Sequence, residues 1–468
     1  MNQPELFCPE FALLLGALLS FACTAIGTTT RVAWLVSITV ALIAVGTSAV
    51  ALSYQGQPFD AGMYSVDAFS QVLKLGISVA LAFAIAISQR QDSTRASART
   101  EVHFVLYLSA LGMMMLVSAT ELLTLYIALE LSAYGLYILA ALHKRERLGS
   151  EAAAKYILFG AAASAISLYG ISLIYGATQS TYISVIAASG GSPLLIVGIV
   201  LTLAGVLYKL AAFPVHAWAP DTYQGAPHEA SVFLATASKV AAVGLLLRVL
   251  SMAGGETEHL KTLLIVVAVL SMSVGNLSAL FQKDFKRLLG FSAVAHAGYL
   301  LLGLLTFSEL GAAAAIFYVL TYVPIVVCAF LVVAAVSQNG ANPSIASLAG
   351  LYKRSPFLGL VLLVAMFGLA GIPPTPGLAG KWFLFSAVIE DGHLWLVLVA
   401  AINATISLYY YLLVVKSAYL SPPGDAPAIT LSPTYSVTAF VAVVLVMFSG
   451  FYPAPVWSMA KAAASLLF

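Results

Sequence analysis

Residues 205–229 read GVLYKLAAFPVHAWAPDTYQGAPHE. Lys209 sits inside an apolar run, and five residues later Pro214 removes a backbone donor, so a helix is expected to break there. His216, Trp218, Pro220 and Asp221 follow, and YQGAP reads as a tight polar turn. A charged side chain beside a broken helix in a membrane-type sequence is costly and calls for a functional reason.

The surrounding composition sets the environment of that lysine. The 468-residue chain is 61% hydrophobic and 9% charged, against about 25% charged in soluble domains. Its mean hydropathy is +0.99. Apolar runs of about 20 residues recur from end to end, which predicts an all-α polytopic membrane protein. The short alternating segments of a barrel are absent. A net charge of +2 with no basic tract gives no footprint for nucleic acid. Cys8, Cys23 and Cys328 are dispersed, so no disulfide, iron–sulfur cluster or zinc site is expected. The start, MNQPELFCPE, lacks a basic segment, so the first apolar run is expected to be a retained span.

About fourteen spans are expected: 9–27, 32–54, 66–88, 102–118, 121–142, 152–177, 193–217, 229–251, 260–281, 287–306, 310–337, 356–388, 392–418 and 433–454, then an amphipathic tail from Ala454 to Phe468. Loops after odd-numbered spans carry Arg31, then Arg90, Arg95 and Arg99, then Lys144, Arg145 and Arg147, then Lys283, Lys286 and Arg287, then Lys353 and Arg354. Loops after even-numbered spans are poor in Lys and Arg, with Arg248 and Lys261 as near exceptions, and hold Glu256, Glu258, Glu309, Glu390 and Asp391. The positive-inside rule makes the odd loops cytoplasmic and puts both termini on the opposite side, periplasmic in a bacterial inner membrane.

Few ionisable groups remain inside the spans. Glu130 follows Glu121 by nine residues, which at the helical rise puts it roughly 13 Å into the membrane. A carboxylate at that depth costs several kcal/mol unless it is paired or neutralised, and a lysine beside it makes a pair that can switch a proton. Lys209 and Lys239 lie on the seventh and eighth spans, where burial favours release of the lysine proton. The twelfth span, MFGLAGIPPTPGLAGKWFLFSAV, repeats the device, with Pro373, Pro374 and Pro376 breaking the helix shortly before Lys381. Two broken helices with lysines, five spans apart, predict two inverted five-helix repeats with sites near the midplane. Residues 102–251 and 252–420 form those repeats, preceded by a three-helix region at 1–101 and followed by the last span and tail at 421–468.

Other candidates are softer. Lys155 either relays protons or snorkels, and His296 is either a proton carrier or a packing histidine, with Ser292 and Tyr299 at helical spacing from it. Lys74, outside the repeats, reads as a packing or interface residue, and His216 as a hinge residue. No phosphate-binding loop, nucleotide fingerprint, nucleophile–base motif or haem-spaced histidine pair is present.

LYIALELSAYGLYIL around Glu130, GVLYKLAAFPVHAWAPDTYQGAP, LATASKVA around Lys239, FKRLLGFSAVAHAGYLLLG around His296 and GLAGIPPTPGLAGKWFLF around Lys381 resemble the antiporter-like membrane subunits of respiratory complex I, most nearly the subunit N type. Together the motifs cover nearly the whole chain. The resemblance implies two inverted half-channels, a Glu130–Lys209 pair, a bridging Lys239 and a terminal Lys381, working as a proton-translocating, non-redox subunit of NADH-quinone oxidoreductase. It further implies that NADH, FMN, iron–sulfur clusters and quinone belong to partner subunits, and that the partners are further antiporter-like and small membrane subunits within the lipid bilayer. One departure stands out: residues 310–337 have no Lys or His, so His296 or Tyr318 and Tyr322 with water are expected to complete that path. The rival readings are a subunit of a multi-subunit sodium/proton antiporter, and the same role in a complex with another electron donor.

Overall fold

A computed structural model describes residues 4–53, 59–60, 62–90, 92–95, 98–143, 146–254, 257–424 and 427–467. Lys144, Arg145 and Glu256, used above for orientation, lie outside the described residues. The helices are α1 (Cys8–Ile26), α2 (Thr30–Leu52), α3 (Ala68–Ile87), α4 (Glu101–Ser118), α5 (Leu122–Ala141), α6 (Glu146–Thr178), α7 (Ile183–Ala188), α8 (Pro193–Leu210), α9 (Trp218–Gly225), α10 (His228–Ala235), α11 (Ala237–Leu250), α12 (Glu258–Ala279), α13 (Phe285–Leu304), α14 (Glu309–Val336), α15 (Leu351–Arg354), α16 (Pro356–Ala370), α17 (Pro376–Glu390), α18 (Leu394–Leu420), α19 (Pro433–Phe451) and α20 (Ala454–Ala464). Two-residue strands, Phe59–Asp60 and Ser65–Val66, pair antiparallel in one loop.

Among the described residues, thirteen helical segments are long and apolar enough to cross a membrane, taking α10 and α11 as one. The fourteenth expected crossing is α16 and α17, each 15 residues and separated by the GIPPT break. Span and break are therefore the same feature: neither half reaches the ~20 residues needed to cross alone.

Helix α14 is the centre of the bundle. Its crossing segment is 94% buried, and it packs on α3, α11, α13, α16, α17, α19 and α20. An apolar helix without a polar face belongs in such an all-round protein environment. The joined α10–α11 segment is fully enclosed, whereas α2, α6 and α19 bury only a third of theirs and turn Leu42, Leu158 and Phe440 outward.

The breaks differ in detail from the sequence expectation. Helix α8 ends at Leu210, four residues before Pro214. Ala211 adopts a left-handed conformation (φ 59°) and its N–H returns to Leu207 and Tyr208 carbonyls. Such a cap satisfies carbonyls that a stopped helix leaves open. Helix α16 ends likewise at Ala370, with Gly371 left-handed (φ 84°) and bonded to the Phe367 carbonyl. Two residues beyond each cap comes a cis peptide, Phe213–Pro214 and Pro373–Pro374. In this shared register Leu210 answers to Ala370, and Lys381 answers to Asp221.

Helix also replaces most of the expected YQGAP turn, since α9 runs to Gly225 and leaves only Ala226 and Pro227 outside helices. A third interruption was not expected. The eighth span is split at Thr236 (φ −119°, ψ −79°), whose hydroxyl donates to the Val232 carbonyl at 2.6 Å. Back-bonding of this kind bends helices.

Candidate functional site: a row of buried lysines

Lys209 projects from the last turn of α8 and is 4% exposed. Its ammonium donates to Ser132 Oγ on α5 at 2.8 Å, and that hydroxyl donates onward to the Leu129 carbonyl at 2.7 Å. Glu130, the carboxylate whose charge acts on Lys209, faces the same pocket between α5, α6 and α8. It accepts a hydrogen bond from Ser164, and Tyr126 contacts Ser164 at 3.0 Å. Tyr137, Tyr156 and Tyr208 line the rest of the pocket. Glu130 and Lys209 are thus coupled across a shared pocket, each holding a serine, and among the described residues no direct ion pair joins them. Glu130 is half-buried, less enclosed than its place in the span implied.

Lys239 follows the Thr236 break by three residues and is 2% exposed. Its ammonium donates to the carbonyl of Leu210, the last residue of α8. Lys381, 5% exposed on α17, donates to the carbonyls of Ala370 at 2.7 Å and Leu369 at 3.4 Å, the end of α16. Since Leu210 and Ala370 are equivalent in the two breaks, both half-helices present the same C-terminal carbonyl to a buried lysine. A cation suits that position because the end of a helix carries partial negative charge and unpaired carbonyls. The lysines arrive from different elements. Lys209 and Lys381 lie on opposite sides of their respective breaks, so they are not copies of one position.

His296 lies between Lys239 and Lys381. It lies within electrostatic range of both Lys381 and Lys239. Its Nδ1 meets the Tyr318 hydroxyl at 2.6 Å and its Nε2 meets the Tyr411 hydroxyl at 3.2 Å. Tyr411 continues to Ser292 at 2.5 Å, and Tyr322 stacks obliquely on the imidazole at 5.0 Å. The Lys381 ammonium stands 5.1 Å over the Tyr299 ring. Of the expected helical neighbours, Tyr299 packs edge-on against the imidazole, while Ser292 reaches it only through Tyr411.

Lys155 stands apart from this row. It is 40% exposed and bridges Glu151 at 2.8 Å and Asp221 at 2.7 Å. Asp221 also binds Arg287, which donates to Gln224 at 3.1 Å, so α6, α9 and α13 are tied together. Burial works to raise the Asp221 pKa, but the hydrogen bonds from Lys155 and Arg287 outweigh it and hold the carboxyl below its usual range. A depressed folded-state pKa contributes stability above the unfolded value, near pH 4, and that contribution is lost as pH falls through the folded value. Asp221→Asn is therefore expected to lower thermal stability at neutral pH and to lose this difference from wild type in acid, as checked by thermal unfolding of the solubilised protein against pH.

Several buried charges or their partners had not been legible in the sequence. Lys286, read as a loop charge, is fully buried in the first turn of α13, where it donates to the Ala226 carbonyl at 2.6 Å and lies 3.5 Å from His228 Nδ1. Glu229 is buried beside it and binds Thr94. Lys74 forms a buried ion pair with Glu10 at 2.6 Å. His216 stacks on Phe213 at 5.6 Å, at the α8–α9 break. Among the described residues no His, Cys, Asp and Glu group is arranged to hold a metal.

Comparison with known proteins gives the family of the chain. A family model described as NADH:quinone oxidoreductase/Mrp antiporter, TM, matches residues 119–407. The NADH-quinone oxidoreductase subunit N 2 of Syntrophobacter fumaroxidans is 44% identical over 412 residues, covering 87% of each chain. The like-named protein of Opitutus terrae is 41% identical over 457 residues, covering 96% of this chain and 95% of its own. A chain of respiratory complex I from Thermus thermophilus with bound aureothin matches with TM-score 0.85 and 34% identity, covering 96% of this chain and 98% of that one. A chain of the Mrp complex from Dietzia sp. matches at TM-score 0.89 with 20% identity, a likeness of fold. With these relatives aligned over nearly its whole length, the chain belongs to the subunit N family of NADH-quinone oxidoreductases.

Proposed function

We propose that this chain is the proton-translocating, non-redox membrane subunit of an NADH-quinone oxidoreductase, moving protons along Glu130, Lys209, Lys239, His296 and Lys381. The observation that carries the reading is the paired arrangement of Lys239 and Lys381 on equivalent helix-end carbonyls, with His296 in electrostatic range of both. A lysine in a dry environment exchanges its proton more readily than one in water. A neighbouring cation favours release and a neighbouring anion favours retention, so a change of charge at one member biases the next. Glu130 is the acidic end of the row and Lys381 the far basic end.

Partner subunits carry NADH, FMN, the iron–sulfur clusters and quinone, and they supply the driving charge change. Further antiporter-like and small membrane subunits flank this chain in a bacterial inner membrane, with both termini on the periplasmic side and Lys155 as a lesser relay. The residues 102–251 and 252–420 act as the two half-channels. The identity to subunit N relatives favours this reading over a sodium/proton antiporter, whose Mrp representative shares the fold at lower identity.

The test is made in the intact complex reconstituted in vesicles. Glu130→Gln and Lys381→Met are each expected to lower the number of protons moved per electron while quinone reduction in uncoupled membranes persists. An unchanged ratio in both assembled variants rejects the proposed row.

A further inference from the structure

Outside the two repeats, the N-terminal three helices hold a second buried cluster. Lys74 on α3 is fully enclosed, and its ammonium meets Glu10 Oε1 on α1 at 2.6 Å. The Tyr64 hydroxyl donates to the same oxygen at 2.7 Å, while its ring lies 5.6 Å from the ammonium. Oε1 thus takes the Tyr64 hydroxyl as donor and the ammonium as an ion-pair contact, whereas Oε2 and the Lys74 ammonium itself are buried with no hydrogen-bond partner. Beside this pair, Arg248 at the end of α11 binds Asp67 at 3.1 Å and stacks on Phe69 at 4.7 Å.

The surroundings repeat the imbalance. Gln71 gives its amide N–H to the Leu6 carbonyl at 2.9 Å, but its Oε1 has no partner. Ser118 Oγ and Arg248 Nε are in the same condition. Asp67 caps the start of α3, and Gln71 and Lys74 follow at i and i+3 on one face of the helix. Buried polar atoms are normally bonded, and a concentration of unbonded ones is what ordered water satisfies. A buried ion pair contributes little net stability, so holding helices together does not account for the cluster.

The cluster is also close in depth to the lysine row. On α3, Leu73 packs against Gly244 and Gly76 against Val240, the residue after Lys239. Lys74 lies between those two contacts, within about one helical turn, ~5 Å in depth, of Lys239.

The geometry points to a proton-holding site at Glu10 and Lys74, taking protonated water as its ligand, that releases protons on the side of the membrane where the N-terminus lies. This inference rests on the proton-translocating role proposed above. The proton joins Glu10 at Oε2, the oxygen left free by Lys74 and Tyr64, so the carboxylate becomes a neutral acid with its other two contacts in place. Hydronium gives up one proton and leaves as water; release reverses the step. No electron transfer is involved. The titratable and charged groups facing the site are Tyr64, Asp67 and Arg248. Glu5, Glu309 and Lys461, on neighbouring elements, are exposed.

The experiment uses the intact complex in vesicles. In the double variant Glu10→Gln/Lys74→Gln, two amides replace the ion pair without leaving a lone buried charge. The expected result is normal uncoupled quinone reduction with a proton-to-electron ratio lowered as far as in Lys381→Met. A normal ratio in the double variant, with Lys381→Met lowered, overturns the site and leaves the lysine row standing. Normal ratios in both overturn the site and, where Glu130→Gln is normal too, the row with it. Should the double variant fail to assemble, Tyr64→Phe removes one hydroxyl from the site. It is expected to move the midpoint of the ratio against pH on the N-terminal side, and an unmoved midpoint overturns the proposal.

Discussion

Replacing Lys239 by methionine is expected to remove most of the proton translocation that this chain contributes, with the complex still assembled. The side chain is 2% exposed, bonded to the end of α8 and within electrostatic range of His296, so it stands between the two parts of the row. Methionine fills a similar space and keeps the packing. What it loses is the charged donor on the Leu210 carbonyl, a contact of a kind that contributes about 1.5–3 kcal/mol. The informative companion is Lys239→Arg. Guanidinium keeps the positive charge at the helix end but does not release its proton in the physiological range. If Lys239 serves only to neutralise the carbonyl, arginine restores function. If it carries protons, arginine fails as methionine does. The ratio of protons to electrons in vesicles separates the two, and normal pumping by Lys239→Arg would remove Lys239 from the row.

The spans and the lysines were legible for the same physical reason. In a chain with so few charges, a run of apolar residues long enough to cross announces itself, and a lysine within it stands out. Prolines marked the two major breaks. Their exact geometry was not marked, because a helix that closes on a left-handed alanine, as at Ala211, uses a residue whose usual preference is helix. The break at Thr236 had even less signal: LATASKVA contains neither proline nor glycine, and the bend comes from a hydroxyl turning back on its own helix.

Pairing between distant helices is where single-sequence reading stops. Glu10, within the first expected span, drew no reading, and Lys74 looked like a packing or interface residue, until the fold set one against the other. Lys286 looked like one of several loop charges, yet it sits wholly buried under the Ala226 carbonyl. Glu130 and Lys209 were expected to form a pair; the structure gives each a serine and sets both on one pocket. The similarity of the two breaks was visible as proline content, but the placement of lysines on opposite sides of them required the backbone register.

That register makes a steric prediction at the second break. Gly377, in the first turn of α17, lies so close to α16 that a Cβ there would overlap the Gly368 carbonyl oxygen and stand 3.0 Å from the carbonyl carbon. Both obstacles are backbone, so no rotamer change relieves them. Gly377→Ala is expected to cost about 1–3 kcal/mol, the usual range for overpacking, by forcing α17 away from α16. The displacement acts directly on Lys381, one turn further along α17, because its partners are the Ala370 and Leu369 carbonyls at the end of α16. Stability and proton translocation should therefore fall together. Gly392→Ala is the control: its φ of 83° makes alanine unfavourable there, but nothing lies within 4 Å of an added Cβ. That variant should lose stability by about 1 kcal/mol, from left-handed strain alone, and keep its proton-to-electron ratio. Thermal unfolding and vesicle pumping measured on both variants decide the matter. A Gly377→Ala complex that is destabilised but pumps normally would show that Lys381 does not need its seat on the α16 carbonyls.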